Sequence, residues 1–201
     1  MLNAKVRKGW DRLMSPVGRA LARSGFGANA ITLFGVLIQV GVAYLIIEGR
    51  LVLAGFIAIV AAFSDAIDGA VAKAAGSASK WGALLDSTSD RLSDALFFIP
   101  VAWLYGVSPG IEQADDRWVA ALSLIALVVS YLVSYIKARA EGLGYDCNVG
   151  IMERAERLIL VIVGLVFYDF LPIVLGILAA LSLVTVFQRL LHVWGQARSE
   201  T

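Results

Sequence analysis

Residues 64–94 read SDAIDGAVAKAAGSASKWGALLDSTSDRLSD and hold five carboxylates between long apolar runs. Asp65 and Asp68 lie at i, i+3; Asp86 and Asp90 lie at i, i+4. On helices each pair projects from one face, its members about 4.5–6 Å apart along the axis. The segment between the pairs, residues 74–82, is rich in Gly, Ala and Ser and predicts a short turn. Two helices joined in this way aim four carboxylates at one small volume. Four carboxylates cannot all stay ionised together unless cations sit among them.

The flanks decide the fold class. Of the 201 residues 59% are hydrophobic, against about 45–50% in an ordinary soluble domain. The excess lies in continuous runs, not in alternation, which predicts an all-α polytopic membrane protein and disfavours a β-barrel. Six transmembrane helices are expected, at about 30–47, 51–74, 82–105, 118–139, 152–170 and 173–193, forming a single membrane domain over 1–201. Asn29 is the expected N-cap of the first, and Glu48-Gly49-Arg50 a tight turn after it. Before the first span, residues 2–24 place Val6, Trp10, Leu13, Met14, Val17 and Leu21 at helical spacing among basic side chains. This predicts an N-terminal amphipathic helix lying on an anionic membrane surface, broken or kinked at Pro16. The plainer alternative is a solvated basic tail. No apolar stretch with a small-residue cleavage site follows directly, so no cleaved signal peptide is expected.

Six spans put both termini on one side. That side then receives 14 of the 17 Lys and Arg, the other only Arg50 and Arg117, and Arg91 falls within a span. The basic side is therefore expected to be cytoplasmic, with both termini and the turn between the Asp pairs on it. The lone Cys147 excludes an internal disulfide, and the lone His192 argues against a His-based triad or metal cluster. Nothing in the pattern suggests nucleic acid as a partner.

Carboxylates within membrane spans are functional by default. The structural alternative is helix glue, with the acids paired to Lys73, Lys80 and Arg91. Against it, acids outnumber the nearby cations. Oxygen-only ligands suit Mg²⁺ or Mn²⁺, as one ion or two. Such metals beside a phosphate substrate point to phosphoryl or phosphatidyl transfer. Gly69 lets a ligand approach the helix closely, and Lys73, one turn on, can meet a phosphate; helix packing and interfacial snorkelling are their plainer readings. Ser79 either contacts a ligand or caps the helix that follows.

The pattern Asp65-x-x-Asp68-Gly69-x-x-Ala72-Lys73, eight residues, then Gly82-x-x-x-Asp86-x-x-x-Asp90 resembles the signature of the CDP-alcohol phosphotransferases, with every spacing kept. Lys73 stands where that family usually has Arg, so charge is kept and the bidentate fork is lost. The resemblance implies a six-helix membrane enzyme, commonly a homodimer, with a cytoplasmic site and two Mg²⁺ ions (or Mn²⁺) on Asp65, Asp68, Asp86 and Asp90. It implies that Asp90 is also the general base on an acceptor hydroxyl, which attacks the β-phosphorus of a CDP-linked lipid and displaces CMP. It further implies CDP-diacylglycerol contacts from Gly69, Lys73 and Ser79, and from the Asn-x-x-Thr stretch Asn29, Ala30, Ile31 and Thr32. Asp94 lies outside the signature, with Arg91 or Lys80 as its expected partner.

A second constellation is basic. Ser134, Lys137 and Arg139 end the fourth span, Arg154 and Arg157 open the fifth one turn apart, and Arg189 lies near the end of the sixth. Cytoplasmic anchoring charge is the plain reading. Convergence in one cavity beside the carboxylates would instead suit an acceptor that carries its own phosphate. The stretches SYIKARAEGLG, ERAERLI and VFQRLLHVW look like those of actinobacterial phosphatidylinositol phosphate synthases. That likeness implies L-myo-inositol 1-phosphate (1D-myo-inositol 3-phosphate) as acceptor, held by Ser134, Lys137, Arg139, Arg154, Arg157 and Arg189, in phospholipid biosynthesis at a bacterial plasma membrane. Two rivals are carried: a glycerol 3-phosphate-dependent enzyme of the same class, and a cation transporter using the carboxylates as a pathway.

Overall fold

The computed structural model describes residue 16 and residues 27–75, 79–107 and 117–199. The amphipathic helix expected over 2–24 lies outside these residues, apart from Pro16, which is in helical conformation. Among the described residues there is no strand. Six α-helices follow in order: α1 (Ala28–Ile47), α2 (Leu51–Ala75), α3 (Lys80–Gly106), α4 (Arg117–Gly142), α5 (Arg154–Val166) and α6 (Leu171–Ser199). The 3₁₀ turn Tyr168–Phe170 joins α5 to α6.

Ala28–Ile47, Arg117–Gly142 and Tyr168–Ser199 are long and apolar enough to cross a membrane, and Leu51–Ser64 is a shorter apolar stretch. The side chains turned away from the bundle agree with a lipid environment: Phe34, Leu37, Phe56, Val128, Ile173 and Phe187 are all exposed. The fifth span differs from expectation. Its α-helix has 13 residues, about 20 Å of rise. It stops at Val166 because the chain turns through Phe167 into the 3₁₀ segment. The sixth helix is longer than expected, continuing past residue 193 to Ser199.

The helix ends follow local chemistry. Gly27, not Asn29, is the N-cap of α1, with no side-chain cap bond; Asn29 is inside the first turn. After α1, Gly49 adopts φ +71°. Its amide and that of Arg50 then reach the carbonyls of Ile46 (2.9 Å) and Leu45 (2.8 Å), a Schellman closure that makes the predicted tight turn. Gly144, φ +91°, ends α4 in the same way, with Tyr145 N–H donating to Ala140 O at 3.0 Å.

The helices close into a ring. α1 packs on α2 and α3, α4 on α3 and α6, and α5 on α2 and α6. Gly55 brings α2 against the end of α5: a Cβ there would lie 2.7 Å from Val166 Cγ2. The interior is filled by Val42, Ile46, Ala54, Phe97, Phe98, Val119, Leu165 and Leu175, away from the carboxylate-bearing ends of α2 and α3. Pro100 sits inside α3, and two residues before it the Phe98 carbonyl accepts a 2.8 Å bond from the buried Ser123 hydroxyl of α4, which ties the two helices together. α3 and α5 lie on different sides of the ring without extensive contact between their backbones. Their long side chains cross the gap, and there the polar site is found.

Candidate active site

Asp65, Asp68, Gly69 and Lys73 fall in the last turns of α2; their side chains lie outside the described residues. The start of α3 is ordered by Ser79, whose Oγ accepts the Gly82 amide at 3.0 Å. Of the two readings for Ser79, the structure shows the capping one. A Cβ on Gly82 would stand 3.2 Å from Ser79 Oγ and 3.5 Å from Asn29 Oδ1. The start of α1 therefore meets the start of α3, and Asn29, Ser79 and Gly82 share one place. Ala30 is exposed and Ile31 is half-buried beside them. Thr32 is buried, and its hydroxyl donates back to Ala28 O at 3.1 Å.

Asp86, Asp90 and Asp94 form one stripe along α3, spaced by successive turns. Asp86 is exposed and Asp90 is half-buried. Asp90 Oδ1 receives Arg154 Nη2 of α5 at 2.6 Å. One turn deeper, Asp94 Oδ2 receives Arg157 Nη2 at 3.0 Å, and Arg91 Nε lies 3.4 Å from the same oxygen. Asp94 thus has Arg91 as expected. Its other partner is not Lys80 but Arg157, 63 residues away and only 2% exposed. A guanidinium buried to this degree needs acceptors for its charged N–H groups, and here the Asp94 carboxylate supplies one.

Above these pairs is a cavity of about 820 Å³ between α3, α4, α5 and α6. It brings together Asp90 with Ser134, Lys137, Arg154, Arg157 and Arg189, six of the residues singled out in the sequence. Arg139 is not among them: it is exposed and turned away from the cavity, because it lies two residues from Lys137, about 200° around the helix. The cavity also includes Arg91, Tyr131, Glu141 and Glu153. Five cations therefore face three carboxylates, and the surplus positive charge suits an anion. Tyr131 donates its hydroxyl to Arg91 O at 2.7 Å; its position three residues before Ser134 on α4 was the available signal for it. For Asp94 the signal was its place one turn after Asp90.

Arg189 is 3% exposed and is held by backbone. Its Nε donates to Val149 O at 2.9 Å, and its Nη1 donates to Val133 O. Around it, α6 fastens the loop between α4 and α5. Thr185 Oγ1 accepts from Met152 N (2.9 Å), Gln188 Oε1 from Ile151 N (3.2 Å) and Gln196 Oε1 from Asp146 N (3.0 Å). Gly150 has φ +129°, and a Cβ there would collide with Thr185 Cγ2. Cys147 is buried in this loop. Burial pushes its thiol up, against the pull of Arg189 and Lys137, so it is neutral and unreactive near pH 7.

Among the described residues no three acids, His or Cys converge as a ready metal cage. The donor types nevertheless fit a hard divalent ion. Asp86 is exposed one turn from Asp90 on the same face, every candidate ligand is a carboxylate, and α2 ends with two more at i, i+3.

The sequence profile of the CDP-alcohol phosphatidyltransferases matches residues 26–191. The chain belongs to that family. Its members are transferases, and the transporter reading falls with that assignment. The phosphatidylinositol phosphate synthase of Mycobacterium marinum is 36% identical over 197 residues, covering 94% of this chain and 82% of that one. The archaetidylinositol phosphate synthase of Pyrococcus horikoshii is 37% identical over 187 residues, covering 92% and 93%. The crystal structure of Mycobacterium tuberculosis phosphatidylinositol phosphate synthase with CDP-diacylglycerol bound superposes with a TM-score of 0.82 at 35% identity, covering 91% of this chain and 94% of that one. The same enzyme in complex with manganese and citrate gives 0.81 at 35% identity, covering 90% and 88%. Use of a divalent metal is thus a property of the family.

Proposed function

We propose that this phosphatidyltransferase moves the phosphatidyl group of CDP-diacylglycerol to L-myo-inositol 1-phosphate, giving phosphatidylinositol phosphate and CMP. One observation carries the reading. The carboxylate expected to act as base, Asp90, touches Arg154 of a cation-rich cavity that fits a phosphorylated polyol. The two halves of a two-substrate site therefore meet at one ion pair. The inositol-linked names of the relatives favour that polyol over glycerol 3-phosphate.

In this scheme Asn29, Ala30, Ile31 and Thr32, with Gly69, Lys73 and Ser79, receive the CDP-lipid at the joined starts of α1 and α3 and the end of α2. Asp65, Asp68, Asp86 and Asp90 would hold Mg²⁺ or Mn²⁺, two ions being our reading. The metal supplies charge neutralisation at the pyrophosphate. Lys137, Arg154 and Arg157 offer charge-assisted donors to the acceptor phosphate, and Ser134 a neutral one. Arg189 holds the cavity wall beside them. Asp90 takes the proton of the acceptor hydroxyl. That oxygen bonds to the β-phosphorus, the bond from that phosphorus to the CMP oxygen breaks, and CMP leaves with the electron pair.

We further propose six membrane crossings in one domain, a homodimer, and a site on the cytoplasmic side of the plasma membrane. The support is the strong bias of Lys and Arg to one side of the spans expected from the sequence. The test is an acceptor panel on detergent-purified protein with CDP-diacylglycerol and Mg²⁺, reading CMP release. Inositol 1-phosphate is expected to drive release, with inositol, serine and glycerol 3-phosphate giving little. Release driven by glycerol 3-phosphate instead would replace the acceptor, and no release with any phosphorylated polyol would sink the assignment.

A further inference from the structure

The two ion pairs between α3 and α5 are rungs of one ladder. Asp90 and Asp94 are four residues apart on α3, and Arg154 and Arg157 are three apart on α5. The rungs run in the same order along both helices. Because the helices make no extensive contact of their own, these side chains set the register of α5 against α3.

The rungs differ in environment. In the upper one, the Arg154 side chain is 33% exposed and opens into the cavity. In the lower one, Arg157 is 2% exposed, and Asp94 is also engaged by Arg91. Arg91 is tied in turn to α4 through Tyr131. A phosphate that recruits Arg154 draws it from Asp90 and opens the upper rung. Arg157 also lines the cavity, but its burial and its bond to Asp94 hold it in place, so it meets an acceptor phosphate without leaving its carboxylate.

We propose that Asp94 is a positioning residue for the acceptor half of the site. It pins Arg157 as a fixed part of the cavity wall and keeps α5 in register while Arg154 changes partner from Asp90 to the acceptor phosphate. Asp94 itself touches neither substrate. The inference rests on the acceptor reading above and adds a residue outside the family signature.

The test measures Asp94→Asn in the full-length protein, with KM for inositol 1-phosphate, KM for CDP-diacylglycerol and thermal unfolding read separately. A rise of about tenfold or more in the acceptor KM is expected, with the CDP-diacylglycerol KM within about twofold. The double variant Asp94→Asn/Arg157→Gln removes the stranded buried charge. It is expected to recover the unfolding temperature and to keep the raised acceptor KM. The proposal is overturned by unchanged acceptor KM in a folded single variant, by parallel shifts in both KM values, by recovery of acceptor KM in the double variant, or by a double variant that does not fold. Absence of CMP release from the unsubstituted protein with every acceptor would instead refute the acceptor reading.

Discussion

The two walls of the cavity use arginine differently. On the α3–α5 wall, Arg154 and Arg157 meet carboxylates, Asp90 and Asp94. On the α4–α6 wall, Arg189 meets backbone carbonyls of Val133 and Val149. A carboxylate-paired guanidinium can exchange its partner for another anion of similar geometry, such as a phosphate. A guanidinium bonded to carbonyls ties α4 to the loop before α5, which share no ladder of their own, and leaving it would strip the loop carbonyl of Val149 of this donor. On the first wall the half-exposed Arg154 is placed to respond to ligand, whereas Arg157 below it and Arg189 on the second wall are placed to hold still. Equal charge on the two walls does not mean equal availability.

The strongest test of the contrast is Asp90→Asn. Loss of a general base is expected to lower CMP release by about 10²–10⁴-fold, while CDP-diacylglycerol binding, read by equilibrium titration, persists. Near-normal turnover would remove Asp90 from its role and leave the responsive wall without its centre. Next is Arg189→Gln, which loses charge-assisted bonds of about 1.5–3 kcal/mol. The acceptor KM is expected to rise far more than the CDP-diacylglycerol KM, together with a lower unfolding temperature because the loop is released. Equal change in both KM values would count against a wall specific to the acceptor.

Gly150→Ala probes the still wall by backbone alone. A side chain at φ +129° facing Thr185 is strained, by about 1–3 kcal/mol, and a drop in unfolding temperature is expected. An unaffected melting curve would show that the loop does not depend on this clasp. The smallest effect is predicted for Arg139→Ala. It points away from the cavity, so both KM values should stay within about twofold, as for an ordinary exposed side chain. A selective acceptor defect there would redraw the cavity.

Much of the site was legible in sequence because spacing along a helix is rigid. The i, i+4 relation of Asp86 and Asp90 and the one-turn separation of Arg154 and Arg157 survive any packing. Arg139 shows the limit of the same logic: closeness to Lys137 in sequence put it on another face. The Asn29 cap failed for a different reason. Helix starts depend on where the chain first turns out of extended backbone: Gly27 is still extended and Ala28 is the first helical residue. A turn at Asp169 to Pro172 was legible, but the fifth α-helix stops earlier, at Val166, because the chain there passes into the 3₁₀ segment, and composition does not register a change of helix type.

By itself the sequence determined the membrane class, the six helical segments, the carboxylate face of α3 and the family signature. All of these are local or compositional properties, set by period, hydropathy and fixed spacing. Only the tertiary structure decided which arginine meets which acid, that Asp94 reaches across to Arg157, and that Arg189 is a clasp. Those outcomes depend on a ring that sets α5 opposite α3 and lays α6 along the loop before α5. Distances between residues about 40 to 60 positions apart arise from packing, and no local spacing encodes them.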